Sequence, residues 1–355
     1  MMRWISWLLP ACLMAAEIGG PSRVQIVRLP QGGEAAEAQI TRDGVIHVLY
    51  HEGGIPYYVR SADHGVHFSA PLAVVNRQSR RPGLVFTVMG MAVGQGGAVH
   101  VAMITNNWQT KLPDVPEGLV YAVLAPGAGA FTPVRSLNGR PSEGSSLAAD
   151  ESGNVAATWL ADKLFANFSH DGGRSFTANA EIDPSFDPCN CCTTRAVYGP
   201  GGTLAVLYRE ETNNDRDIYL VLLGKDGSRR RTRLSVTPWK VNACPMTYYG
   251  LSPSGDGYVA AWPTKGEIYF ARLDRDGKLL PPGEIKTPGR SQMRSGVVAL
   301  AAPDGTALVA WKNQGQLGWQ IYDAGGRPGT SGALPSAGKG AAAVVDGRGR
   351  FLLIP

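Results

Sequence analysis

"RDGVIHVLY", Arg42 to Tyr50, is a glycine turn running into an apolar strand that ends in an aromatic. The same pattern returns as "GQGGAVHVAM" (Gly94 to Met103), "ESGNVAATW" (Glu151 to Trp159) and "GPGGTLAVLY" (Gly199 to Tyr208). It continues as "SGDGYVAAW" (Ser254 to Trp262), "PDGTALVAW" (Pro303 to Trp311) and "GRGRFLLIP" (Gly347 to Pro355). The turns fall near residues 43, 95, 151, 200, 254, 303 and 346, a spacing of about 50 residues. A second series of strands follows, each ending in its own turn: "YYVRSADHG", "VYAVLAPGAG", "LFANFSHDGG", "IYLVLLGKDG", "IYFARLDRDG" and "GWQIYDAGG".

A weaker third strand comes next, then a small apolar one leading into the following turn. Each unit therefore reads as four antiparallel strands, inner to outer, with apolar residues alternating so that one sheet packs on the next. Four strands per unit at about 50 residues is the period of a propeller blade. A β-sandwich has no reason to keep that period seven times. The expectation is an all-β chain folded as one β-propeller over residues 24–355, with seven blades, or six if one unit is absorbed by irregular packing. The last unit holds only "GAAAVVDGRG" and "RFLLIP", and "RVQIVRLP" (Arg23 to Pro30) has no blade of its own. Pairing the two closes the ring and hides two sheet edges.

The chain has 355 residues and a formal net charge of +5, with its basic residues scattered. "SRRRTR" (Ser228 to Arg233) alone forms a basic cluster and reads as a solvated strand, so no nucleic-acid partner is expected. No apolar run past the N-terminus is long enough to span a bilayer. "MMRWISWLLPACLMAAEIGG", residues 1–20, has an early arginine, a short apolar core and small residues before the first acid, which is the layout of a secretory signal. "LLPAC" also resembles a lipobox, which would make Cys12 a lipid anchor. Either route exports the protein, to the periplasm, the outer membrane or the medium. There, four remaining cysteines are expected to be oxidised.

"SADHGVHF" (Ser61 to Phe68) and "SHDGGRSF" (Ser169 to Phe176) match the pattern S-x-D-x-G-x-x-F. In that turn the Asp side chain ties down backbone amides, Gly takes a positive φ and the aromatic packs between sheets. The residues concerned are Ser61, Asp63, Gly65, Phe68, Ser169, Asp171, Gly173 and Phe176. The pattern resembles the Asp box of the sialidase-like, BNR-repeat superfamily, where it is structural and lies opposite the catalytic face. "CNCCTTRAV", "YREE…DRDIYLV" and "W…NACPM" further resemble a group of secreted bacterial proteins within it. The resemblance covers most of residues 24–355.

Sialidases of that superfamily use an arginine triad, a Tyr–Glu nucleophile pair and an acidic proton donor, the first arginine opening the first inner strand. "VRLP" looks like that motif, but counting back from the turn at Asp43 places the strand start at Glu34. Arg28 then belongs to the closing outer strand. Tyr248 and Tyr249 lack the spacing of the nucleophile motif.

In a propeller the starts of the inner strands and the loops between second and third strands meet at one channel mouth. Those segments supply Glu34, Glu37, Arg80, Arg81, Glu143, the stretch Cys189 to Arg195, Cys244 to Met246, Met293 and Arg294. The loops add His51, Glu52, the stretch around Trp108, and Arg209 to Asp217. Candidate ligand-binding residues are Trp108, Arg195, Arg209, Arg216 and Arg294. Arg195, Arg216 and Arg294 suit an anionic sugar, with Glu143, Glu210 or Asp217 as an acid. Glycosidases need two carboxyls across the scissile bond, which sequence cannot measure. Arg216 and Asp217 in "DRDIYL" read equally as a salt bridge between blades. The expectation is an exported propeller binding a glycan, peptide or protein at its mouth, with an exo-sialidase activity as the alternative and no cofactor.

Aligning Tyr208 with Trp262 sets Cys244 level with the cluster Cys189, Cys191 and Cys192. Two disulfides are expected, one joining Cys244 to the cluster and one within it. The adjacent Cys191 and Cys192 are awkward partners, being joined by a single trans peptide. A thiolate site for copper or zinc, with Met246, and a redox site are the alternatives.

Overall fold

The computed structural model describes residues 23–355, so the signal segment and Cys12 lie outside the described residues. Six four-stranded antiparallel sheets and one three-stranded sheet form a seven-bladed β-propeller. The innermost strands, in order, are Glu34–Ile40, Phe86–Val93, Ser145–Ala149, Arg195–Tyr198, Gly250–Ser254, Val297–Ala301 and Ala342–Val345. The last of these belongs to the three-stranded seventh blade. Among the described residues the one α-helix is a single turn, Asn107–Thr110.

The aromatic that ends the repeated strand explains much of the packing. Tyr50, Trp159, Tyr208 and Trp262 are all fully buried, each between its own sheet and a neighbour. Large aromatics bury about 150–250 Å² each, so the same position in successive blades repeats a large apolar contribution around the ring.

Blade 7 closes the ring. Val24–Ile26 lies alongside Phe351–Ile354 in register Val24 to Phe351, and Ala342–Val345 lies inside it. The closing strand runs parallel to its neighbour, whereas every other ladder is antiparallel. Arg23 extends the closure by pairing with Asp304 at 2.6 Å and donating to Thr306 Oγ1 at 2.7 Å. Glu34 does open the first inner strand, and Arg28 lies just past the closing strand, exposed.

The two S-x-D-x-G turns face away from the mouth. His67 N donates to Asp63 Oδ1 at 2.9 Å, and Gly65 N donates to Ser61 Oγ at 2.9 Å. Ser175 N donates to Asp171 Oδ1 at 3.0 Å, and Gly173 N to Ser169 Oγ at 2.9 Å. Gly173 has a φ of 79°, and a Cβ there would lie 1.9 Å from the Tyr121 hydroxyl. Phe176 meets Tyr121 edge-on at 5.2 Å, and Phe68 packs on the ring-closing cluster.

Candidate functional site

The inner strands start at one face and enclose an axial cavity of about 740 Å³. Arg195 from blade 4 reaches across it to Glu37 of blade 1, three blades away around the ring. Its Nη2 donates to Glu37 Oε1 at 2.7 Å, and its Nη1 contacts Oε2. The pair crosses the channel as a bar. Arg195 Nε is buried and unpartnered.

Other charges lining this cavity are free. Glu143, Arg294 and Lys339 are exposed at its wall, and none makes a side-chain hydrogen bond or ion pair among the described residues. Tyr248 lies near Arg294; burial raises its pKa, partly countered by the Arg294 charge. Arg294 has a left-handed backbone (φ 57°) and donates its amide to Met246 O at 2.8 Å, where Met246 is also left-handed (φ 48°). Residues held this way occur at functional sites more often than elsewhere.

The cysteines do gather beside the mouth, in the loops leading into the inner strands of blades 4 and 5. Cys191 and Cys244 form a disulfide joining the two blades. Cys244 is exposed and Cys191 half-buried. The expected second disulfide is not present. Cys189 and Cys192 are buried free thiols whose sulfurs lie 3.2 Å apart in a hydrogen bond. Cys189 Sγ also lies 3.5 Å from Cys191 Sγ. The sulfurs of Cys189, Cys191 and Cys192 all fall within 4.8 Å of one another. With Cys191 bonded to Cys244, two thiols remain, so a copper or zinc site of three or four thiolates would first require that bond to be reduced.

Arginines surround this dithiol. Arg209 is fully buried; its Nε donates to Thr247 Oγ1 at 3.2 Å, and its other nitrogens contact the carbonyls of Arg216 and Pro263. Its guanidinium stacks on Trp239 at 4.8 Å. Burial alone would raise the Cys192 pKa. The hydrogen bond from Cys189, the Arg209 charge and the Thr247 donors outweigh it and bring the thiol down to about 5. Cys189 is driven well up, first by its hydrogen bond to Cys192 and then by burial. The two shifts run in opposite directions, so Cys192 is the more acidic thiol of the pair.

Several sequence candidates sit elsewhere. Arg209 and Arg216 are buried and cannot meet a ligand at the surface. Arg216 donates from Nε to Val241 O at 3.1 Å and pairs with Glu211 at 2.9 Å. Its carboxylate partner is Glu211, the loop neighbour, not Asp217. Asp217 is buried and pairs with Arg233 at 2.8 Å, while Ser235 Oγ donates to it at 3.0 Å. Glu210 is buried too, and burial followed by the nearby Asp217 and Asp215 charges raises its pKa to about 7. These carboxyls belong to the wall of blade 4 and do not line the channel. Trp108 is 63% exposed on the one-turn helix, outside the cavity wall. The channel thus receives Arg195, Arg294 and Glu143, and does not receive Arg209, Arg216, Glu210 or Asp217. Lys339, the Arg195 partner role of Glu37, and Thr247 were not read from the sequence. Lys339 was within reach, since it precedes the seventh inner strand as Arg294 precedes the sixth.

No protein-family model matches the chain, and no curated protein does. Solved structures place it in a class, the β-propellers. It is similar to the Dos1 propeller at 13% identity over 90% of this chain and 78% of that one, with a TM-score of 0.55. It is also similar to virginiamycin B lyase from Staphylococcus aureus at 13% identity over 90% of both chains, with a TM-score of 0.51. A Hadza microbial sialidase aligns at 14% identity over 85% of this chain and 69% of that one, with a TM-score of 0.48. Likeness at these identities establishes the fold and leaves function to the site.

Proposed function

We propose that this protein is an exported propeller that binds an acidic glycan or similar small anionic ligand at its channel mouth. The observation that carries this reading is Arg294. It is an exposed guanidinium on a left-handed backbone at the cavity wall, with no carboxylate partner among the described residues, Lys339 on the neighbouring blade and Glu143 lining the same cavity from blade 3. A cavity of about 740 Å³ suits a ligand of one or two sugar rings. The exposed Trp108 and Met293, at 63% and 61%, offer apolar surface on loops of the same face. Export, by the signal at residues 1–20 or with a lipid anchor at Cys12, belongs to the same reading, as does membership of the sialidase-like group on its two Asp-box turns.

Hydrolysis would need two carboxyls across a bond. Glu37 is tied to Arg195, so Glu143 and Glu34 are the lining carboxylates outside any ion pair among the described residues. A panel of sialosides and neutral glycosides tests both outcomes. Saturable binding of an acidic member, weakened roughly tenfold or more by Arg294→Ala without turnover, is expected. Turnover abolished by Arg294→Ala with the fold intact would make the protein a glycosidase. Absence of binding across the panel would sink the reading.

A further inference from the structure

We propose that the four cysteines form a thiol–disulfide relay, in which the buried pair Cys189/Cys192 exchanges with the exposed bond Cys191–Cys244. Cys191 and Cys192 also line the channel cavity, but none of the charged residues proposed to hold the ligand takes part. Three placements carry it. The outer bond is reachable, with Cys244 exposed. The inner pair is a free dithiol in mutual contact at 3.2 Å. Cys189 Sγ touches the outer bond at its Cys191 end, at 3.5 Å.

A disulfide serving only as a clasp needs neither a second dithiol behind it nor a buried cation beside that dithiol. Arg209 has no carboxylate within its hydrogen bonds, and its donors go to two carbonyls and Thr247. Thr247 in turn donates its amide to Cys192 Sγ at 3.5 Å, with its hydroxyl oxygen 3.3 Å from that sulfur and hydrogen-bonded onward to the Tyr249 hydroxyl at 3.1 Å. This shell favours a thiolate on Cys192, which is the species that accepts a proton or attacks sulfur.

The exchange balances within the protein. Cys189 passes its thiol proton to the Cys192 thiolate as its sulfur attacks Cys191; the Cys189–Cys191 bond forms, Cys191–Cys244 breaks, and Cys244 leaves as the thiolate. Cys192 then attacks Cys189 and gives up that proton; the Cys189–Cys192 bond forms and Cys191 leaves, taking the proton. The inner pair has been oxidised and the outer pair reduced by the same two electrons. The Cys191/Cys244 dithiol, exposed at Cys244, can then reduce an external disulfide that reaches the mouth, regaining its bond as that disulfide becomes two thiols. Stabilising the Cys192 thiolate favours the reduced inner pair, so the equilibrium rests as the structure has it, with the outer bond closed.

The test uses the full folded chain in buffer free of oxidant and reductant, with excess N-ethylmaleimide, an acid quench and non-reducing peptide mapping. The relay predicts maleimide on Cys191 and Cys244 and a new Cys189–Cys192 bond in the same molecules. Cys192→Ser should stop halfway, with maleimide on Cys244 and a Cys189–Cys191 bond. Cys189→Ser should slow labelling of Cys244 by roughly tenfold or more. Maleimide on Cys189 and Cys192 with Cys191–Cys244 retained would overturn the proposal. So would a starting protein with both pairs already bonded, or one with four thiols around a bound metal. The wild-type result decides the matter even if a variant folds poorly.

Discussion

His47 and His100 occupy the same place in the second strands of blades 1 and 2, and each turns Nδ1 to a tyrosine hydroxyl. His47 meets Tyr58 at 2.8 Å, and His100 meets Tyr121 at 2.6 Å. Burial, the largest cause in both, brings each pKa down to about 4 from 6.5. A base whose folded pKa is depressed contributes stability that is complete above the unfolded pKa and is lost as pH falls through the folded one. Between about pH 6.5 and 4 the unfolded chain therefore binds up to two more protons at these sites, and stability drops by on the order of 2–3 kcal/mol for each. Buried Glu210 and Cys192 titrate in the same window, so the test is the difference between variants: His100→Gln should reduce the fall in urea-unfolding stability between pH 7 and pH 4.5 by one histidine's share, on the order of 2–3 kcal/mol. A slope unchanged in that variant would mean that His100 already titrates normally. The thiols give a second residue-scale test. Replacing Arg209 with Met removes a charge that lowers the Cys192 pKa, so the thiolate absorbance of the folded variant should titrate at higher pH than in the wild type. An unshifted midpoint would assign the thiolate to other groups.

At the scale of elements, the cysteine loop is held by how closely blade 3 approaches it. An ideal Cβ on Gly144 would lie 1.8 Å from the Cys192 carbonyl and 2.4 Å from Thr193 Cα. Those contacts are backbone, so they cannot swing aside. Gly144→Ala should destabilise the fold by about 2–3 kcal/mol in chemical denaturation and make Cys192 more reactive to alkylation. Wild-type stability with wild-type reactivity would show that the loop yields freely. The alignment of Tyr208 with Trp262 was enough to bring Cys244 level with the cluster, because strand register in adjacent blades is locked by the repeated aromatics. Which sulfurs join was not legible, since it depends on loop paths before the strands, where no periodic signal exists. Burial of Arg209 and Arg216 escaped the sequence for a related reason. A charged residue in a loop reads as solvated, and only packing against Trp239 and the Pro263 carbonyl of blade 5 turns Arg209 inward.

For the whole molecule, the seven-fold turn series was a direct readout of blade number, and the orphan "RVQIVRLP" of its closure. The parallel direction of the closing strand was not legible, because an unpaired segment of a few residues carries no sign of which way it will run. Removing residues 1–30 should strip the outer edge of blade 7 and the Arg23–Asp304 pair, lowering the thermal midpoint by roughly 5–10 °C. A midpoint equal to that of the full chain would make the closing strand dispensable.

The site was half legible. Strand starts placed Glu143, Arg195 and Arg294 on the channel, but side-chain pairing across it, as between Arg195 and Glu37, is a property of the closed ring alone. The central claim is that the mouth is where the ligand sits, and hydrogen exchange with and without the bound acidic glycan measures that directly. Slowed exchange confined to amides at 143–145, 293–296 and 339–341, with the turns at 61–68 and 169–176 unchanged, is the predicted result. Protection at those opposite-face turns, with the mouth unchanged, would contradict it.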